Sequence, residues 1–141
     1  MAARREGKQK IAVIGAGLMG HGIAQVFAVA GHDVAITDPV PAALQAAPEK
    51  IVRNLKDMQL DPAAVAHVSL HMSLAEAVAG ADVVFEAALE NMELKQKLFA
   101  EIEAAAPAHA ILASNTSVMP ITAIMTNIRD KSRALGTHWW N

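Results

Sequence analysis

The chain has 141 residues, enough for one compact domain, with 53% hydrophobic and 4% aromatic residues and a formal net charge of -2 at pH 7. That balance excludes disorder over most of the length, and it excludes the basic surface that binding to a nucleic-acid backbone requires. The absence of cysteine rules out a disulfide framework and thiol chemistry, and makes a reducing compartment such as the cytoplasm the natural expectation.

Residues 1–9 are polar and basic, lack the apolar run of a secretory signal, and read as a flexible leader ahead of a single domain over residues 10–141. The most apolar stretch, Ile11 to Ile36, is broken by Gly15, Gly17, Gly20, Gly22 and the Gly31-His32-Asp33 turn, so it reads as strand, helix and strand and not as a membrane span. Lys10 to Ile14 is the first strand. A helix begins at Leu18, with Ile23, Val26, Phe27 and Ala30 at helical spacing and Gly31 at its C-terminal cap. Asp33 to Thr37 is a β-branched strand closed by Asp38-Pro39. Pro41 to Met58 is helical by spacing, but Pro48 is expected to kink it or begin a new helix. Asp61-Pro62 starts a short turn, and Val68 to Met72 reads as a third strand.

Ser73 is placed to cap a brief helix ending near Gly80, ahead of a fourth strand over Ala81 to Ala88. Asn91 caps an amphipathic helix that Pro107 ends, and Ala110 to Ala113 is a fifth strand. After Ser114-Asn115-Thr116-Ser117 come a short helix to about Met125 and a last strand from Arg133 to His138. Strands alternating with helices argue an α/β, Rossmann-type doubly wound parallel sheet.

Gly15-Ala16-Gly17-Leu18-Met19-Gly20 matches G-x-G-x-x-G. Alone the pattern is weak, but here it joins a strand to a helix. In that setting Gly15 makes the tight turn, Gly17 admits a pyrophosphate and Gly20 allows close packing, while the helix N-terminus offers amides to the phosphates. Asp38 ends the second strand 18 residues beyond Gly20, where a carboxylate accepts from the adenosine ribose and repels a 2′-phosphate. NAD is therefore expected over NADP.

Ligands of such sheets lie beyond the carboxyl ends of the strands. Glu86 to Glu90, Ser114 to Ser117 and His138 fall there. A histidine suits removal of a hydroxyl proton near neutral pH, which makes His138 a candidate base, and Ser117 could hold a substrate oxygen. Taken alone, Ser117 reads more often as a helix N-cap, His138 equally as a packed histidine, and Glu90 and Lys95 as exposed charges at a helix start. His67 and His71 lack a third ligand, so no metal site is expected. His21 and His32 read as solvent-facing or locally packed.

These residues resemble the L-3-hydroxyacyl-CoA dehydrogenases of β-oxidation and butyryl-CoA metabolism. The resemblance rests on Ile14 to Gly20 followed by Gly22-Ile23-Ala24-Gln25, on Phe85-Glu86-Ala87 with Glu90-Asn91, on Ser114-Asn115-Thr116-Ser117, and on Gly136-Thr137-His138 with Asn141. It implies His138 as general base and Ser117 as a contact to the substrate oxygen and to NAD. It also implies Gly15, Ala16, Gly17, Leu18, Met19, Gly20 and Asp38 as cofactor residues, with Glu90, Lys95 and Asn141 near the ribose and nicotinamide; Glu86 carries over more weakly.

The substrate so implied is an acyl-CoA, and the full-length protein so implied is a homodimer. The family's C-terminal helical domain is absent from these 141 residues, so the chain reads as truncated and, by itself, as inactive. Trp139 and Trp140 replace the family's two phenylalanines, and the arm containing Pro48 is shorter than the family's, so no CoA contact is assigned on it. A free 3-hydroxyacid dehydrogenase and a non-catalytic nucleotide-binding module remain the alternatives.

Overall fold

The computed structural model describes residues 7–139; the expectations for Asn141 and for the leader before Gly7 lie outside them. Six strands form one parallel sheet: β1 (Lys10–Ile14), β2 (Asp33–Thr37), β3 (Val68–His71), β4 (Val83–Glu86), β5 (Ile111–Ser114) and β6 (Ala134–Gly136). Their order is β3-β2-β1-β4-β5-β6, every neighbouring pair parallel, so the chain reverses direction across the sheet between β1 and β4. The helices are α1 (Leu18–Val29), α2 (Pro41–Asp57), α3 (Leu74–Val78), α4 (Met92–Ala105) and α5 (Ile121–Ile124).

The alternation of side chains along a strand gives the sheet two buried faces. Ile11 and Val13 of β1 join Ile23, Ala24 and Ala28 of α1 and Leu44, Ile51 and Leu55 of α2 on one face. Ala12 and Ile14 join Val78, Phe99, Ile102 and Ile124 of α3, α4 and α5 on the other. This is the doubly wound arrangement expected of the sequence.

Pro48 neither starts a helix nor ends one. Helix α2 runs through it, because Leu44, Ala47, Ile51 and Leu55, all at most 1% exposed, bury one continuous face on both sides of the proline. Burial of four side chains, each worth about 1–3 kcal/mol for all but the alanine, outweighs one lost backbone hydrogen bond.

The last three strands differ from the expected spans for a single reason. A strand continues only while a neighbour continues beside it. β4 ends at Glu86, paired with Ile14, because β1 turns away at Gly15. β5 is shifted by one residue, so that Ser114 is its last member and pairs with Gly136. β6 is an edge strand whose ladder closes with Thr137 N–H donating to Ser114 O at 2.8 Å. Arg133 lies in a 3-10 turn before it, and His138 lies in the loop beyond it and not in the strand.

The β6 edge is held by Glu103 and Arg133. Glu103 accepts from the amides of Arg129 (2.7 Å) and Asp130 (3.1 Å), and Arg133 Nη1 donates to the carbonyls of Pro107, Ala108 and Ala110. Burial pushes the Glu103 carboxyl upward, but those two amides and the charges of Arg133 and Arg129 outweigh it and hold the group below the ordinary glutamate value. A depressed folded-state pKa gives stability that is present above the unfolded value, about 4.3, and is lost as pH falls through the folded one. Glu103→Gln is expected to cost about 1–2 kcal/mol at pH 7 and to flatten this acid limb in denaturant titrations at several pH values; an unchanged acid limb would remove Glu103 as its source.

Candidate functional site

The loop between β1 and α1 is defined by glycine geometry. Gly15 has φ +113°, and a Cβ there would lie 2.5 Å from Ala87 O; a Cβ on Gly20 would lie 1.9 Å from Gly15 O. Gly17 is different: a Cβ there meets nothing within 4 Å. It is the N-cap of α1 and supplies no side-chain acceptor, so the first-turn amides are left for an anion. A backbone with open space over Gly17 and uncapped amides behind it fits a pyrophosphate.

Asp38 sits just past β2, with one carboxylate oxygen accepting from Ala16 N–H and the other from Val40 N–H, both at 2.8 Å. It therefore braces the glycine loop as well as starting its own turn. Each carboxylate oxygen still has acceptor capacity for a hydroxyl. This bracing contact between residues 22 positions apart carries no sequence signal of its own.

Glu86 and Lys95 form a buried ion pair where β4 leads into α4, with the partly exposed Glu90 beside it. Lys95 and Glu86 are wholly buried, and Lys95 Nζ lies 2.6 Å from Glu86 Oε2 and 3.2 Å from Glu90 Oε1, with Ala88 O at 3.4 Å. Lys95 is thus not an exposed helix-start charge, and in this geometry it has no surface to offer a ligand. The two carboxylates around it are what draw it inward. Glu86 also accepts from Ala88 N–H (2.7 Å) and Ser114 Oγ (2.6 Å).

The loops after β4, β5 and β6 are stitched to one another. Asn115 N–H donates to Glu86 O at 2.8 Å, and Asn115 Oδ1 accepts from Trp139 N–H at 3.0 Å. Thr116 Oγ1 donates to Glu90 Oε2 at 2.9 Å and accepts from Met119 N–H at 3.1 Å. Ser117 and His138 are exposed on these joined loops. Asn115 and Thr116 are the connectors between the candidate side chains, a role that no local sequence pattern announces.

His21 is not solvent-facing. It is buried, its Nδ1 2.7 Å from Gly17 O and its Nε2 3.1 Å from Asn54 Nδ2, which also donates to Gln25 Oε1 at 3.0 Å. Since Asn54 Nδ2 is a donor, Nε2 accepts and Nδ1 carries the proton that reaches the Gly17 carbonyl. This chain ties α2 to the glycine loop. It borders a cavity of about 640 Å³ between α1 and α2, whose walls include Met19, Val26, Met58 and Trp139, with Lys50 and Arg53 among its polar lining.

Among the described residues no helix is long and apolar enough to cross a membrane, and no three His, Asp or Glu side chains are grouped to hold a metal ion. Residues 10–141 match the family model described as the NAD binding domain of 3-hydroxyacyl-CoA dehydrogenase. The chain belongs to this family. It is an NAD-binding domain, and its sheet is that of the family's Rossmann domain.

A probable 3-hydroxyacyl-CoA dehydrogenase from Caenorhabditis elegans is 38% identical over 93% of this chain and 47% of its own length. A probable 3-hydroxybutyryl-CoA dehydrogenase from Bacillus subtilis is also 38% identical, over 94% of this chain and 49% of its own. The crystal structure of 3-hydroxybutyryl-CoA dehydrogenase from Escherichia coli superposes with a TM-score of 0.89 at 36% identity, over 95% of this chain and 30% of that one. The chain thus spans at most about half the length of these family members.

The two glycines separate folding from cofactor binding. Gly17→Ala has room for its Cβ at an ordinary φ, so it is expected to melt near the parent temperature while NAD affinity falls about tenfold or more. Gly20→Ala is expected to lose stability as well, because its Cβ meets backbone. Calorimetric melting and NAD titration of both variants check this; a Gly17→Ala chain that binds NAD normally would contradict the pyrophosphate assignment.

Proposed function

We propose that this chain is the nucleotide-binding half of an enzyme that oxidises an L-3-hydroxyacyl-CoA to the 3-ketoacyl-CoA with NAD. The observation that carries the reading is the joining of the loops after β4, β5 and β6 at the sheet edge that also holds the glycine loop. Asn115 connects Glu86 to Trp139, and Ser117 and His138 stand exposed on either side of that connection.

In this reading His138 takes the proton from the substrate hydroxyl as general base, and the Ser117 hydroxyl holds the same oxygen. Asp38 accepts from the adenosine ribose hydroxyls and disfavours a 2′-phosphate. Glu90 is assigned to the nicotinamide half, as the resemblance implies also for Asn141, and Lys95 serves that half through Glu90. Bound NAD would supply the hydride acceptor. Although the resemblance assigns no CoA contact on α2, the cavity between α1 and α2, with apolar walls and the cations Lys50 and Arg53, suits the long arm and phosphates of an acyl-CoA.

The relatives' additional length would complete the acyl pocket, the shell that orients His138 and a homodimer interface; the cytoplasm suits the cysteine-free composition. The isolated chain then binds cofactor but turns over little.

Separate titrations with NAD and NADP, followed by tryptophan fluorescence and calorimetry, are expected to favour NAD by about tenfold or more, with the preference lost in Asp38→Ala. Any NADH formed from a 3-hydroxyacyl-CoA should be slow and should disappear in His138→Ala. Failure to bind either nucleotide would overturn the cofactor reading for the isolated chain, and NADH formation undiminished in His138→Ala would remove the base.

A further inference from the structure

The topology assigns the two halves of a bound dinucleotide to different strands. Asp38 follows β2 and the phosphate-binding amides open α1, so a dinucleotide with its adenosine at β2 extends its other half across the reversal point, over β4 and β5. Glu90 and Ser117 follow those two strands. Glu90 keeps 40% of its side chain exposed, enough to meet a ligand, whereas Glu86 and Lys95 keep none.

Glu86 is nevertheless the centre of the arrangement. Its two oxygens take three donors from three elements: Ser114 Oγ at the end of β5, the Ala88 amide in the loop after β4, and Lys95 Nζ on α4. Lys95, fixed by Glu86, reaches one oxygen of Glu90, and Thr116, two residues beyond Ser114, donates to the other. Glu90 is therefore held by both oxygens, one by Lys95, which Glu86 fixes directly, and the other by Thr116 on the turn that follows Ser114. The three donor positions of Lys95 are matched by Glu86, Glu90 and the Ala88 carbonyl.

Stability gives a poor account of such a pair. A buried carboxylate and ammonium each lose their hydration, and well-packed neutral side chains commonly stabilise as much or more. What a fixed charge adds is orientation. We propose that Glu86 is a positioning residue: through Lys95 and Ser114 it sets Glu90 and the Ser114–Ser117 turn in the geometry that receives the nicotinamide-ribose half of the cofactor, without touching the cofactor. The inference rests on the nucleotide reading above and goes beyond it by assigning a role to the buried side chain beneath the site.

The test compares NAD with ADP, which carries the adenosine and both phosphates but lacks the second ribose and nicotinamide. Single removal of either buried charge strands the other, so the informative variant is Glu86→Gln with Lys95→Met, both neutral and of similar volume. The double variant is expected to fold and to bind ADP within about twofold of the parent, while its NAD affinity falls about tenfold, the scale of a lost charge-assisted hydrogen bond. Glu90→Gln alone should give a comparable NAD-specific loss, and adding it to the double variant should cost less than it costs the parent, because Lys95 no longer holds Glu90 while Thr116 still does.

Unchanged NAD affinity in the double variant, an equal fall for ADP, or a loss on adding Glu90→Gln as large as in the parent would each overturn the proposal. If the double variant does not fold, Thr116→Val removes one hold on Glu90 with the buried pair intact. A severalfold NAD-specific loss is then expected, and equal NAD and ADP behaviour overturns the proposal. A parent chain that binds ADP and NAD while the variants match it rejects only the role of Glu86; a parent that binds neither rejects the nucleotide reading on which it rests.

Discussion

The edge of the sheet is organised by a close backbone approach that only glycine permits. Gly15 turns in the left-handed region with its Cα against the Ala87 carbonyl, and Gly20 lies over Gly15's own carbonyl. A side chain at either position would collide with backbone, which cannot move aside as a flexible side chain can. The compression brings the β1 turn against the loop after β4, the two strands between which the connectivity reverses. Because the turn is that tight, the amides of α1 open onto the reversal point, and Asp38 can reach back to Ala16. Every other feature of the edge is placed relative to this contact.

Around it, two polar systems are spent on position instead of on core stability. On the α2 side, Asn54 and Gln25 hold the ring of His21 so that it donates to the Gly17 carbonyl, linking the glycine loop to the helix that walls the cavity. On the α4 side, Glu86, Lys95 and Ser114 join three elements beneath Glu90. Burying such groups is costly unless each donor and acceptor is matched, and here nearly all are, at distances of 2.6 to 3.2 Å for the principal contacts. The membership in the 3-hydroxyacyl-CoA dehydrogenase family accounts for the cofactor; the particular residues account for how the loops that would meet it are kept in place.

The departures from sequence expectation have a common origin in long-range contacts. Pro48 does not begin a new helix, one of the two outcomes open to it, because four buried side chains flank it within α2, something helix propensity does not register. Lys95 is buried because Glu86, nine residues earlier, ends a strand directly beneath it. His138 lies past the final strand because an edge strand can extend only as far as Ser114 and Gly136 pair.

The sequence by itself determined the alternation of strands and helices, the glycine turn into α1, the capping roles of Ser73 and Asn91, and Asp38 at the end of β2. These are local: apolar periodicity, left-handed backbone at glycine and short-range capping are set by neighbours a few residues apart. The tertiary structure alone decided where β4, β5 and β6 stop, that Lys95 and His21 turn inward, and that Asn115 and Thr116 connect the loops bearing Ser117, Glu90 and Trp139. Those outcomes depend on pairing and desolvation between residues 9 to 72 positions apart, from Glu86 and Lys95 to Ile14 and Glu86, and such interactions exist only once the sheet has brought the strand ends together.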